Sequence, residues 1–180
     1  MKEKLLEQAK HEFSSKQRFV ALLAMVPIFL ILLPLLLIIL GSRIDQWMEW
    51  SPFLNKPLNL ILGILLIGVG WSFGIWSIYI QFTLGRGTPV PLMATQKLII
   101  RPPYSYCRNP MALGAIVMYL GVAILSSSLG AVILVLLGSG ILLTYIKRIE
   151  EREMEIRFGQ EYLQYKKQTP FLFPRFWKKS

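Results

Sequence analysis

The stretch MALGAIVMYLGVAILSSSLGAVILVLLGSGILLTYI, residues 111–146, contains no charged side chain. As a single helix its 36 residues would run roughly 54 Å at 1.5 Å per residue. A bilayer's hydrocarbon core is only ~30 Å thick. The patch Ser126-Ser127-Ser128-Leu129-Gly130 is the natural place for the chain to turn back, so the run reads as a hairpin of two membrane helices, 111–126 and 129–147. Each half is slightly short, which favours a tilted hairpin or a locally thinned bilayer.

Outward from this hairpin the pattern repeats. Residues 19–40 and 58–80 are two further charge-free runs, each close to the ~20 residues that cross a bilayer core. The 180-residue chain is 54% hydrophobic and 17% charged, below the roughly 25% charge of a soluble domain. Its mean hydropathy is +0.50. These features predict an all-α integral membrane protein with four transmembrane helices in a single domain, residues 1–180. An amphipathic segment at 1–18, with Leu5, Ala9 and Phe13 on one face, precedes the first helix. A loop at 81–110 precedes the hairpin, and a helical, aromatic and basic tail at 148–180 follows it.

The first run is too long and too late in the chain for a cleavable signal peptide. Pro27 and Pro34 inside it each remove a backbone donor and are expected to kink it. In the second run, Gly70 and Gly74 form a small-residue face suited to close helix packing. Trp47, Trp50, Trp71 and Trp76 suit interfacial or packing roles.

Charge sets the expected orientation. The chain has 20 Lys and Arg against 10 Asp and Glu, a net +10. The bases lie mostly outside the apolar runs, where they suit anionic lipid headgroups and not a soluble nucleic-acid surface. Lys2, Lys4, Lys10, Lys16 and Arg18 precede the first run, whereas residues 41–57 offer only Arg43 and Lys56, offset by Asp45 and Glu49. Arg86, Lys97, Arg101 and Arg108 lie in the 81–110 loop without an acid, and Lys147, Arg148, Arg152 and Arg157 follow the hairpin. Both termini and the 81–110 loop are therefore expected on the cytoplasmic side. A bacterial inner membrane and the endoplasmic reticulum both fit.

The residue inventory narrows the chemistry. Cys107 is the sole cysteine and His11 the sole histidine, which excludes an internal disulfide and a His/Cys metal cage. His11 lies in the charged N-terminal stretch, unsuited to nucleophilic catalysis. Any reaction is expected to proceed without a histidine base or a metal.

The 81–110 loop is long for a connection, and such loops are usually functional or disordered. Gly85 and Gly87 permit close backbone approach to a ligand, but Pro89 and Pro91 forbid the helix that a dinucleotide fingerprint requires. Asn109 and Pro110 are good N-cap and first-turn residues, so the third membrane helix is expected to begin there with Arg108 beside its positive end. At the other end of the hairpin, Lys147/Glu151 and Glu153/Arg157 have i,i+4 spacing. The hairpin returns Glu150-Glu151 to the face that holds Asn109. A cationic end beside an acidic pair suits a zwitterionic cofactor.

These segments resemble the isoprenylcysteine carboxyl methyltransferase family and its phospholipid N-methyltransferase relatives. The resemblance rests on Leu98-Ile99; on Pro103-Tyr104-Ser105-Tyr106-Cys107-Arg108-Asn109-Pro110-Met111-Ala112-Leu113-Gly114; and on Glu150-Glu151. It continues through Phe158-Gly159-Gln160-Glu161-Tyr162-Leu163-Gln164-Tyr165 and Pro170-Phe171-Leu172-Phe173-Pro174. Asn109 replaces the family's usual His, and Ala112 its usual Tyr. The resemblance implies S-adenosylmethionine bound on the cytoplasmic side, in a site formed by the loop before the last hairpin and the helix after it. Gln96, Lys97, Leu98 and Ile99 would contact the adenosyl part mainly through backbone. Tyr104, Arg108, Asn109, Pro110, Met111, Ala112 and Gly114 would line the cofactor, and Glu150 or Glu151 would accept hydrogen bonds from its ribose or amino group. The phospholipid enzymes add Gly85 and Gly87 to this set. A hydrophobic methyl acceptor of the isoprenylcysteine carboxylate type would enter from the bilayer, with Arg101, Lys147 or Arg148 holding an acceptor carboxylate or phosphate.

Three other readings fit parts of the pattern. One is phospholipid amine N-methylation. Another is an NADPH-dependent reductase, because membrane sterol reductases carry a similar Arg-His-Pro segment. The third is a non-catalytic membrane module that keeps the fold, for which Ala112 is the best argument.

Overall fold

A computed structural model describes residues 14–85 and 95–175. The N-terminal amphipathic segment through residue 13, with His11, and the stretch 86–94, with Arg86 and Gly87, lie outside the described residues. Every regular element described is helical.

The first rod consists of α1 (Ser15–Pro27), a π-helical turn (Ile28–Leu32) and α2 (Leu33–Trp47). Ser14 and Gln17 start it as a reciprocal capping box. Between Pro27 and Pro34 the chain changes hydrogen-bond register, so the two prolines produce a π turn inside a continuous 33-residue rod. The Leu33 N–H reaches back to the Ile28 carbonyl. In that register the Phe29 carbonyl faces Pro34, which has no N–H to donate. The Tyr119 hydroxyl fills the vacancy by donating to Phe29 O at 2.8 Å.

α3 (Leu58–Thr83) and α4 (Pro110–Leu125) form an antiparallel pair in backbone contact. A Cβ on Gly70 would strike the Met118 backbone, and one on Gly114 would lie 2.7 Å from the Gly70 carbonyl. Gly63 and Gly121 repeat this closeness against Leu125 and Ile67. Gly70 thus serves the packing role expected of it. At Gly74 the backbone makes the contact, and the Cβ direction is open.

The hairpin turn occupies Ser126–Ser128. Ser127 has φ of 50°, and Ser128 caps α5 (Leu129–Tyr145) by accepting from the Ala131 N–H. Ser127 Oγ accepts from Leu54 N–H at 2.8 Å and donates to Leu54 O at 2.7 Å. Asp45 accepts from the Gly130 N–H at 2.7 Å, joining the end of α2 to the start of α5. Asn59 Nδ2 donates to Leu125 O at 3.0 Å, covering the last carbonyls of α4.

Beyond α5 a second π turn (Ile146–Glu150) leads into α6 (Glu151–Gln168), which breaks at Gly159 (φ 52°, ψ −126°). Three of the described helical segments are long and apolar enough to cross a membrane. The fourth apolar helix, α4, has 16 residues, a length of about 24 Å. Three to four helices therefore have the character of membrane spans. The first rod outruns the expected 19–40 at both ends, and α3 extends past residue 80 to Thr83.

Candidate functional site

The head of α4, the loop before it, α6 and the tail after α6 meet in one polar cluster. The loop and tail are laced through backbone groups that lie outside regular helix. Arg108 N–H donates to Pro170 O at 2.9 Å, and Arg175 N–H to Tyr106 O at 3.0 Å. Asn109 Nδ2 donates to Phe171 O at 3.0 Å. Asn109 therefore sits at the N-cap position but makes no side-chain cap; its amide binds the tail instead. Tyr165 donates its hydroxyl to Tyr104 O at 2.6 Å, while the Tyr104 hydroxyl points at Ser77 O and Gln81 Oε1, 3.4 and 3.5 Å away. Tyr104 thereby ties α3 to α6.

At the centre stands Glu151, 3% exposed. Arg108 Nη1 lies 3.0 Å from its Oε1, and Lys166 Nζ 2.8 Å from its Oε2. Both Glu151 oxygens are buried and each faces a cation, while Arg108 Nε is buried without a hydrogen-bond partner. Lys166 also donates to Glu155 Oε1 at 2.9 Å. The Glu151 and Glu155 carboxylates hold the Lys166 ammonium above the usual lysine range. Phe171 covers the Arg108 guanidinium at 5.7 Å. Burial, reinforced by Glu151, pushes the Tyr162 hydroxyl up.

The expected pairing of Lys147 with Glu151 does not form; the partners of Glu151 are Arg108 and Lys166. The π turn at Ile146–Glu150 changes the register on which i,i+4 spacing depends. Glu153 and Arg157 do pair, at 3.3 Å, and Arg157 also donates to the Thr95 carbonyl.

The other sequence-predicted residues fall into four groups. Gly85 is buried, accepts from Gln96 N–H at 2.8 Å and abuts Ile99, so Gln96, Lys97, Leu98 and Ile99 begin against the end of α3. Pro110 is fully buried, Met111 and Ala112 are half-buried, and Gly114 faces the backbone of α3. Glu150 is half-buried, and burial followed by Glu153 raises its carboxyl. Arg101, Lys147 and Arg148 are exposed. Lys166, Tyr162 and Glu155 were not anticipated as site residues. Their signal is Gly159, whose break folds the end of α6 back towards its start.

The phospholipid methyltransferase family profile matches residues 58–161. The chain belongs to that family. The matched region runs from α3 through Arg108 and Glu151 and ends before Tyr162 and Lys166. The chain is also similar to the cobalt-zinc-cadmium resistance protein CzcN of Cupriavidus metallidurans, 27% identical over 138 residues, or 76% of this chain and 59% of CzcN. It thus spans about three fifths of that curated relative's length. No solved structure matches it. Family membership and the apolar helices place this chain among membrane proteins related to the phospholipid methyltransferases. Among the described residues, no group of three or more His, Cys, Asp and Glu is placed to hold a metal ion.

Proposed function

We propose that the protein transfers a methyl group from S-adenosylmethionine to a lipid-like acceptor at the cytoplasmic face of the membrane. The observation that carries this reading is the buried Arg108–Glu151 pair, which brings a cation from the loop before the last hairpin against a carboxylate from the helix after it. Burying charges is costly unless they are paired and hydrogen-bonded, so the pair suits a ligand presenting an anion beside donors. An amino-acid carboxylate would meet Arg108, and an ammonium or ribose hydroxyl would meet Glu151 or Glu150. Backbone groups of Gln96–Ile99 and the Tyr104 ring would border the adenosyl part.

When bound, the cofactor supplies an activated methyl group on a sulfonium. The chain's contribution is to align the reactants and exclude water. Burial pushes the Tyr104, Tyr162 and Tyr165 hydroxyls up and the Cys107 thiol up to about 11. These groups stay protonated at neutral pH and provide neither a base nor a thiolate. An acceptor that needs no deprotonation, such as an isoprenylcysteine-type carboxylate, fits best; a phospholipid amine must lose its proton elsewhere. The acceptor would approach laterally from the bilayer, past the half-buried Met111 and Ala112 at the head of α4.

Thermal unfolding of detergent-purified protein, titrated with S-adenosylmethionine, S-adenosylhomocysteine and NADPH, tests the reading. Saturable stabilisation by the first two is expected, with the shift growing as the logarithm of ligand excess. Labelled methyl transfer into carboxylate-bearing or amine-bearing lipids then identifies the acceptor. Stabilisation by NADPH alone would overturn the proposal in favour of a reductase.

A further inference from the structure

Glu151 and Lys166 are fifteen positions apart, which in a straight helix is roughly 22 Å along the axis. Their side chains nevertheless stand 2.8 Å apart, because α6 breaks at Gly159. The three charges are layered by depth: the Arg108 side chain is 10% exposed, Glu151 3% and Lys166 34%. Lys166 is thus the solvent-side cover of the buried carboxylate. Arg108 is fixed by its backbone bond to Pro170 and by the Phe171 ring. Lys166 is held differently. It lies between two carboxylates, 2.8 Å from the buried Glu151 and 2.9 Å from Glu155, itself 32% exposed, so a second acid on the solvent side can keep it if the first is given up.

We propose that Lys166 is an exchangeable internal counter-ion of Glu151. A cationic ligand group takes its place at the carboxylate, and Glu155 retains the displaced ammonium. This rests on the cofactor reading above and adds a regulatory element to that site. The exchange keeps Glu151 paired with one cation beside Arg108 throughout, so the buried carboxylate is never left against Arg108 alone. Binding strength is then set by competition between the ligand's ammonium and Lys166, and the part of α6 beyond Gly159 responds to occupancy.

Equilibrium binding to the full detergent-purified chain tests this with two probes. S-adenosylhomocysteine carries the ammonium, and 5′-methylthioadenosine lacks the amino-acid portion. Lys166→Met should bind S-adenosylhomocysteine roughly 5–10-fold tighter than wild type, the low end of typical site coupling, with 5′-methylthioadenosine unchanged. Its ligand-free melting temperature should fall, because two ion pairs are lost. Glu155→Gln should act oppositely, weakening S-adenosylhomocysteine binding by confining Lys166 to Glu151. In the Lys166→Met background, the Glu155→Gln effect should vanish, since the two residues act through one another. Lys166→Arg, which keeps the charge, should stay near wild type and guards against a Met variant that fails to fold.

Tightening of both probes alike, or weaker binding of S-adenosylhomocysteine by Lys166→Met, would overturn the counter-ion role while leaving the cofactor reading intact. Failure of wild type to bind S-adenosylhomocysteine at all would overturn both.

Discussion

The two ends of the α3–α4 pair solve the same problem in opposite ways. At the hairpin end, polar side chains address backbone groups of neighbouring elements. Asp45 takes the Gly130 N–H, Ser127 both accepts from and donates to Leu54, and Asn59 covers a terminal carbonyl of α4. Asn59 Oδ1 is the exception left without a partner there. At the other end, beside the side chain-to-backbone bonds of Asn109 and Tyr165, charged side chains meet one another in the buried Arg108–Glu151 pair with Lys166 over it. Polar groups committed to backbone hold a fold together. Buried charges are costly unless they are well paired or something else uses them, which is the ground for proposing that the Arg108–Glu151 end is functional.

The harshest test of this contrast is to neutralise each end in turn. Glu151→Gln leaves Arg108 buried beside a neutral amide, and breaking a buried pair typically costs about 3–5 kcal/mol. It should also abolish stabilisation by S-adenosylmethionine. Asp45→Ala removes one helix-terminal acceptor, worth about 0.5–2 kcal/mol, and should leave the ligand response intact. Thermal unfolding with and without ligand reads both effects. Equal loss of ligand response in the two variants would erase the distinction between the ends.

Between the ends, the α3–α4 seam should be intolerant at particular positions only. At Gly70 even a methyl group meets the α4 backbone, while at Gly68 and Gly74 it meets nothing within 4 Å. Gly70→Ala should cost about 1–3 kcal/mol as an overpacking defect. Gly68→Ala and Gly74→Ala should be neutral or stabilise by up to about 1 kcal/mol. Melting temperatures of the three variants check this, and a matching loss at Gly74 would mean that the two helices cross elsewhere.

What the sequence made legible was largely local. Residues 126–130 interrupt an apolar run with serines and a glycine, and the hairpin turns there. Pro27 and Pro34 announced an irregularity, expected as a kink, although not that it would be a π turn or that Tyr119 would satisfy the carbonyl left over. Asn109 read as a cap because its neighbours made it one. Its amide instead reaches Phe171, 62 residues later. Lys147 and Glu151 were four apart, but a π turn intervenes. Lys166 was beyond reach of any periodicity, since its place depends on a single glycine with positive φ. Non-local contacts between irregular segments have no spacing rule, and here they build the site.

A smaller effect sharpens the account of the first rod. Tyr119→Phe strips the donor from Phe29 O, and hydrogen bonds between membrane helices are worth about 0.6 kcal/mol on average. Pro34→Ala supplies an N–H at the position facing that carbonyl. In the Pro34→Ala background the cost of Tyr119→Phe should therefore shrink towards zero, a coupling that a double-mutant cycle of unfolding free energies reads directly. Additive costs would show that Tyr119 acts by packing alone.

The smallest expected effect separates the two adjacent glutamates. Burial and Glu153 raise the Glu150 carboxyl above the usual carboxylate range, so the folded protein holds that proton more tightly than the unfolded chain. The linked stability is complete below the unfolded pKa and is lost as pH rises through the folded one. Neutral pH lies above the unfolded value, so the half-buried Glu150 of wild type opposes folding there. Glu150→Gln should melt slightly higher than wild type at neutral pH, with the difference closing as the medium is acidified into the carboxylate range. Glu151→Gln should melt lower at neutral pH, because it breaks an ion pair where Glu150→Gln relieves an unfavourable charge. Melting curves across pH, repeated with S-adenosylhomocysteine, decide which carboxylate the ligand needs. If the stabilised Glu150→Gln variant also loses its ligand response, Glu150 is the acceptor of the ligand's hydrogen bonds, and Glu151 serves to hold Arg108 in place.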